Sequence, residues 1–379
     1  MFDIIFYKKL PKMIFQHLQK FKNVASKNSQ QKFYQIISNL NPKKQKIIYL
    51  HHEWGGGADL YLQNKIQQLK NDNYIFVILY KKKLGKINLQ ITFQNQFASI
   101  LLNNFGEISE LFSKIKIDTI YLNQISFFPN LAVVFDFIKQ TTADKKVMLV
   151  HDFSSICAKT HLLKDDGSKC EIIGNNSTCA CDCEAGENIT KWREIFINQI
   201  GEVICFSEHS KQIIGQFYPE ISSKIKVEPH YVPFLRKVNV IKSDPIINIA
   251  VVGFLNKIKG ADIVQQMAQI IIDNKFPAQI IVVGKCKKKE NSALKILGKY
   301  DREDLPEIIE KHQIDIVFIS SICPETFSYT THEAMLMGVK IACFDLGAQS
   351  EYIKKYSAGL IIQEINAKTA LNEILEFVK

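Results

Sequence analysis

No apolar run in this 379-residue chain approaches the ~18 residues that a membrane-spanning helix needs. The longest apolar runs, Leu131 to Ile138 and Ile246 to Val252, are the length of core elements. The opening Met1-Phe2-Asp3-Ile4-Ile5-Phe6-Tyr7-Lys8-Lys9 lacks the basic-then-apolar pattern of a secretory leader, so a cytoplasmic location is expected. There is no zinc finger, no aromatic RNA-binding motif and no basic-aromatic repeat, which argues against a nucleic-acid partner. G-x-G-x-x-G is missing, which disfavours a dinucleotide site of the dehydrogenase type. No D-x-D ends an early strand; Asp165-Asp166 sits in a polar loop and reads as a turn. Neither a metal nor a cofactor is therefore expected at the site. Low-complexity segments and short repeats are also lacking.

What the chain has in excess is lysine. The net charge is +10, and its lysines are spread out, including Lys81-Lys82-Lys83 and Lys287-Lys288-Lys289. Two readings stand: a solvated surface, or attraction to anionic lipid head groups or a pyrophosphate-bearing acceptor. Five of the nine cysteines are scattered: Cys157, Cys205, Cys286, Cys323 and Cys343. Cys170, Cys179, Cys181 and Cys183 cluster, but C-x-C-x-C is not the usual zinc spacing. Plain thiols, a structural metal and a disulfide staple all stay open for that cluster.

The length suggests two domains. Residues 1–43 are polar and basic, with Ile14, Phe15, Leu18 and Phe21 at loose helical spacing; they read as a helical extension, either surface-covering or lying on a membrane. From Lys46 the pattern alternates. Strands are expected at 47–50, 74–80, 119–122, 147–150 and 203–206, with helices at 58–70, 128–140, 189–199 and 208–217. A second alternation gives strands at 247–252, 279–283, 315–320, 340–344 and 359–362, and helices at 260–273, 305–312, 329–337 and 366–378. Strand–helix alternation implies parallel sheets covered on both faces. The expected division is an extension 1–43, an N-terminal Rossmann-like domain 44–235, a charge-rich linker 236–245 and a C-terminal Rossmann-like domain 246–379.

The residues with chemistry fall where strands end. Glu325 and Glu333 have seven residues between them, the first on a strand-to-helix turn and the second inside the following helix. In open α/β sheets that crevice is where ligands bind, and a helix N-terminus there offers N–H groups to a phosphate. Two carboxylates beside an anion site suit a ligand that carries both phosphate and sugar hydroxyls. The second half opens with Gly253-Phe254-Leu255-Asn256-Lys257-Ile258-Lys259-Gly260 between a strand and a helix, so Lys259 stands at an expected anion site. A fixed cation there stabilises negative charge on a ligand. In the first half, Gly55-Gly56-Gly57 lets backbone approach a ligand closely, and His151 ends a strand.

This constellation resembles glycosyltransferase family 4, the large retaining family with the GT-B fold: two Rossmann-like domains with parallel sheets facing a central cleft. The resemblance covers roughly residues 46–363 and rests on Glu325/Glu333 together with Lys259-Gly260. It implies sugar contacts from Glu325 and His151, diphosphate contacts from Lys259 and the N–H groups of Phe327 and Ser328, and a ribose contact from Glu333. Gly56, Gly57, Gly253, Lys257 and Gly260 would line the donor. Two positions depart from the pattern: Phe254 stands where many members have arginine, a gap Lys257 would fill, and Thr326 replaces a glycine. Asp152-Phe153, His161-Leu162-Leu163, Gly167 and Trp192-Arg193 resemble a subgroup that builds bacterial surface polysaccharides such as O-antigen or capsule. The implied partners are a nucleotide-sugar donor and a glycan or polyprenyl-pyrophosphate-linked acceptor, reached by an enzyme that is cytoplasmic or peripheral on the inner face of the membrane. The rival readings are a GT-B sugar-nucleotide epimerase and a non-catalytic nucleotide-sugar-binding subunit.

Overall fold

The computed structural model describes residues 26–52, 55–164, 166–168, 170 and 186–379. Among the described residues, fourteen strands form two sheets. The first runs β4-β3-β2-β1-β5-β6-β7-β8 and the second β11-β10-β9-β12-β13-β14.

The first sheet has a parallel core of Val-, Ile- and Leu-rich strands: β1 (Gln45–His51), β2 (Asn73–Lys81), β5 (Ile117–Leu122), β6 (Ala143–Leu149), β7 (Glu202–Cys205) and β8 (Ile225–Val227). Such runs are buried on both faces, as parallel strands are. One expectation needs correcting: this sheet is mixed. An antiparallel pair, β3 (Lys86–Phe93) and β4 (Gln96–Leu102), is added beyond β2. The alternation Ile87-Asn88-Leu89-Gln90-Ile91-Thr92 sends Ile87, Leu89 and Ile91 into the core. Helix α1 (Lys27–Ser38) packs on this added edge, with Phe33 and Ile36 buried in the same core and Ser29 Oγ accepting from Ser99 N at 2.8 Å. The described end of the N-terminal extension therefore covers a sheet edge. Ile14, Phe15, Leu18 and Phe21 lie outside the described residues.

The other helices of this half are α2 (Gly57–Leu69), α3 (Phe105–Phe112), α4 (Leu131–Gln140), α5 (Gly186–Asn198) and α6 (Glu208–Phe217). The second sheet is all parallel: β9 (Ile247–Val252), β10 (Ala278–Val283), β11 (Leu294–Ile296), β12 (Ile316–Ile319), β13 (Lys340–Phe344) and β14 (Gly359–Ile362). Around it lie α7 (Ala261–Asn274), α8 (Leu305–Lys311), α9 (Tyr329–Met337), α10 (Gly347–Ile353) and α11 (Ala367–Val378). No helix among the described residues is long and apolar enough to cross a membrane.

Strand order reverses once in each sheet. In the first the chain leaves β1 on one side and returns as β5 on the other; in the second the pair is β9 and β12. Ligands of doubly wound sheets bind outside the carboxyl ends of strands at such a switch point. The two switch points meet. Thr326 Oγ1, beyond β12, donates to the carbonyl of His151, beyond β6, at 2.8 Å. Nearby, Tyr352 Oη donates to Phe206 O at 3.3 Å, and the Glu351 carboxylate accepts from His209 N at 2.9 Å. That last contact places an anion from one half at the N-terminus of α6 in the other.

Candidate active site at the two switch points

The second switch point carries an ion pair. Lys259 Nζ stands 2.6 Å from Glu325 Oε1. Ser321 Oγ donates to the same carboxylate oxygen. Burial works against both charges. Nevertheless Glu325 holds the ammonium above its ordinary pKa, and Lys259 with the hydroxyls of Ser321 and Ser328 holds the carboxylate below its own. Both groups are thus charged at neutral pH.

The backbone around the pair is fixed by close approaches that only glycine permits. A Cβ at Gly260 (φ +81°) would lie 2.0 Å from Ser320 O, so the loop of Lys259 presses directly on the end of β12. A Cβ at Gly347 (φ +56°) would lie 2.4 Å from Glu325 N. Glu325 N donates instead to the fully buried Gln349 side chain at 3.1 Å, and Gln349 Nε2 donates to Cys323 O at 3.1 Å. These bonds hold the loop that carries Glu325.

Ser328 is the N-cap residue of α9, with its hydroxyl accepting from Thr331 Oγ1 at 2.9 Å. The α9 N-terminus therefore sits beside the ion pair, where its N–H groups favour an anion. Phe327 stacks on His332 (centroids 4.4 Å apart) and reaches across to His230 at the same distance. Glu333 is further along α9, buried, and paired with Arg302 Nε at 2.6 Å; Arg302 also donates to Pro233 O at 2.5 Å. Burial raises the Glu333 pKa, with Arg302 opposing.

Beside these groups, at the carboxyl ends of β9 and β10, lies a cleft of about 570 Å³. Gly253, Phe254, Gly284 and Tyr300 line it. Phe254 is 57% exposed, so its ring is presented to this space. Lys257 is exposed on the turn before Lys259.

The first switch point carries a polar relay that the sequence did not announce. Asn123, just beyond β5, has an amide nitrogen that can only donate and an oxygen that can only accept. Its Nδ2 donates to His51 Nδ1 at 2.8 Å, so His51 presents Nε2–H to Asp59 Oδ1, 3.3 Å away. Its Oδ1 accepts from His151 Nε2 at 2.9 Å. This fixes the His151 tautomer and leaves Nδ1 as the ring atom for a ligand. Burial, then the neighbouring His230 and His51, hold His151 well below the ordinary histidine pKa, so the ring is neutral. The strand-end position of His151 is legible in the sequence; the asparagine that joins it to His51 gives no signal.

Gly56 (φ +90°) caps α2, and Gly57 opens it within contact of the Tyr329 ring; a Cβ there would lie 3.4 Å from that ring. The need for glycine in this run is conformational, at Gly55 (φ +78°) and Gly56, rather than steric. The structure brings His151, Lys259, Glu325, Phe327, Ser328 and Gly260 to the meeting of the two sheets. Glu333 lies behind them on α9, paired with Arg302. Asp166 Oδ1 accepts from Ser168 N at 2.8 Å, a turn as expected. Cys179, Cys181 and Cys183 lie outside the described residues; Cys170 is buried. Among the described residues no three His, Cys, Asp or Glu side chains are placed to hold a metal.

Residues 232–379 match the family described as Glycosyl transferases group 1. None of the curated proteins compared matches the sequence. Several solved structures share the fold across both halves. Anabaena HepE, in complex with UDP and glucose, is 19% identical over 88% of this chain and 90% of its own, with a TM-score of 0.57. Sucrose-phosphate synthase from Thermosynechococcus elongatus is 13% identical over 88% and 90%, with a TM-score of 0.61. The catalytic domain of Arabidopsis thaliana starch synthase IV, bound to ADP and acarbose, is 13% identical over 89% and 92%, with a TM-score of 0.53. Lys259, Glu325 and Glu333 thus lie within the part of the chain that matches the glycosyl transferases group 1 family, and the chain as a whole has the GT-B fold.

Proposed function

We propose that the protein is a retaining, metal-independent glycosyltransferase of the family 4 type, and that it moves a sugar from a nucleotide donor to a lipid-linked glycan in surface-polysaccharide synthesis. The observation that carries this reading is the charged Lys259–Glu325 pair at the second switch point, beside the α9 N-terminus and joined through Thr326 to His151.

The donor's nucleoside would occupy the cleft beside Gly253 and Gly284, with Glu333 near the ribose. Its diphosphate would meet Lys259 and the first N–H groups of α9. In this arrangement Glu325 and His151 Nδ1 hold the sugar hydroxyls. As the bond from the anomeric carbon to the diphosphate oxygen breaks, its electron pair goes to that oxygen, and Lys259 and the helix dipole stabilise the charge. The acceptor hydroxyl attacks the same face, and its proton passes to the departing diphosphate. The UDP and glucose bound in the HepE complex support a donor of this class.

A thermal-shift panel of nucleoside diphosphates and nucleotide sugars tests the reading, because a ligand bound only by the folded state raises its melting temperature. At least one nucleotide sugar is expected to stabilise the wild type and to stabilise Lys259→Ala less. If none shifts the melting temperature, the reading is wrong. A sugar released or rearranged without acceptor would favour an epimerase instead.

A further inference from the structure

Arg302 stands between the nucleotide cleft and Glu333. We propose that Arg302 is a positioning residue, which sets the Glu333 carboxylate for the ribose hydroxyls of the donor and ties α9 to the segment joining the two halves. This rests on the nucleotide reading above, and adds to it a residue that acts through Glu333 rather than on the donor itself.

The geometry singles Arg302 out. Residues 297–304 run from β11 to α8. Of these, Lys299, Tyr300, Asp301 and Asp304 line the cleft at the carboxyl ends of β9 and β10. Arg302, in the middle of the run, bonds to α9 instead. Its Nε donates to Glu333 Oε1 at 2.6 Å, and its Nη2 donates to Pro233 O, in the connection between β8 and β9. Both donors belong to one planar guanidinium, so a single rigid group spans a carboxylate and a backbone carbonyl that are a hundred residues apart in sequence. A lysine ammonium does not reproduce that fork. The bond engages Oε1, and Oε2 is the oxygen we assign to the ribose.

The pair lies inside the protein: the Arg302 side chain is 15% exposed and that of Glu333 is 7% exposed. Desolvation offsets much of the attraction between buried charges, so such a pair is a weak source of stability. What it does supply is a fixed place for the carboxylate. The other titratable groups that act with Glu333 are Glu303 beside Arg302, Tyr300 from the cleft wall and Tyr329 from α9. Burial and the Glu333 charge push the Tyr300 phenol up to about 12 and hold Tyr329 up as well, so both are neutral. Arg302 is the cation of the group.

The charge of Glu333 depends on that cation. Burial raises the Glu333 pKa and Glu303 adds to the rise, while Arg302 opposes it. Without the guanidinium the carboxyl would take up its proton at a higher pH; unpartnered buried glutamates reach roughly 8–9. A protonated carboxyl has lost its charge and part of its acceptor capacity, and holds ribose hydroxyls less tightly. Nucleotide affinity in a variant without Arg302 should therefore fall more steeply than in wild type as the pH drops.

Calorimetry on the full chain with UDP, ADP and GDP at about pH 6 and about pH 8 tests it. Each variant is read against wild type at the same pH, so that protonation of the diphosphate cancels. Arg302→Met should bind the preferred diphosphate roughly tenfold more weakly at the lower pH and recover most of that loss at the higher. Glu333→Gln, with no carboxyl to titrate, should show the same loss at both. The double variant should bind no more weakly than Glu333→Gln alone, because Arg302 acts through that carboxylate. It leaves no buried charge unpaired, so it carries the test if Arg302→Met does not fold. A loss in Arg302→Met that is equal at both pH values and adds to that of Glu333→Gln would show a role in packing alone and overturn the proposal, with the ribose assignment intact. Wild-type affinity in Arg302→Met would overturn it as well. If no diphosphate binds the wild type, the nucleotide reading itself falls and takes this inference with it.

Discussion

Lys259→Ala separates what the ion pair does for the fold from what it does for the reaction. In the wild type the Glu325 side chain is 10% exposed and Lys259 is 40% exposed. Removing one partner of a fully buried pair costs ~3–5 kcal/mol, whereas a surface pair contributes ~0–1 kcal/mol. With the ammonium two-fifths exposed, solvent screening places the expected loss between these, at about 1–3 kcal/mol near neutral pH. The sign of the pH dependence follows from Glu325. Its folded pKa is held below the ordinary 4.5, so the pair's contribution is present above 4.5 and is lost as pH falls through the folded value. Without Lys259, burial dominates and the carboxyl is easier to protonate. The stability deficit of the variant should therefore be full at neutral pH and shrink in acid. Urea melts of both proteins across that range measure it. A deficit that is constant or grows toward acid would refute the coupling. In the reaction the same substitution should cost about 2–4 kcal/mol of transition-state stabilisation, roughly 30- to 900-fold in kcat/KM. Turnover close to wild type would remove Lys259 from the site.

Glu333→Gln should weaken nucleoside-diphosphate binding by about tenfold, the value of one charge-assisted hydrogen bond, as read by calorimetry; an unchanged Kd would sink the ribose assignment. Gly284→Ala should destabilise the second half by roughly 2–4 kcal/mol, because its Cβ would meet Gly253 O at 1.8 Å at a φ of +147°. A thermal melt matching wild type would show that the β10 loop yields. Binding to anionic vesicles should be measurable at low salt and lost by about 0.5 M, where the Debye length falls to a few ångströms. Residues 1–25 are the segment to delete in that experiment, since Phe33 and Ile36 of α1 belong to the core. Equal sedimentation with neutral and anionic vesicles would leave no role for charge.

The parallel strands were legible because both their faces are buried, which writes Ile47-Ile48-Tyr49-Leu50 or Ile316-Val317-Phe318-Ile319 as continuous apolar runs. Their carboxyl ends then named Lys259, Glu325 and His151. The β3–β4 pair was missed because its alternation looks half-exposed, yet Asn88, Gln90 and Thr92 are buried too. Polar residues on a covered face carry no strand signal beyond period two. Asn123, Arg302 and Gln349 were missed for another reason. Each acts through a partner distant in sequence, His51 and His151, Glu333, and Glu325, and such pairings exist only once the sheets have folded. His230 lies between Pro229 and Pro233, outside every expected helix and strand, and only its burial among rings from both halves marks it out.

The central claim is tested most directly by following the chemistry itself. The protein is incubated in EDTA with the nucleotide sugar that stabilises it and a glycan acceptor, and phosphorus and proton NMR record diphosphate release and the anomeric configuration of the product. The account predicts metal-free release of one nucleoside diphosphate per glycosidic bond, with configuration retained. Glu325→Gln should fold normally and lose that transfer. Inversion, a requirement for added Mg²⁺ or Mn²⁺, or full activity in Glu325→Gln would contradict it.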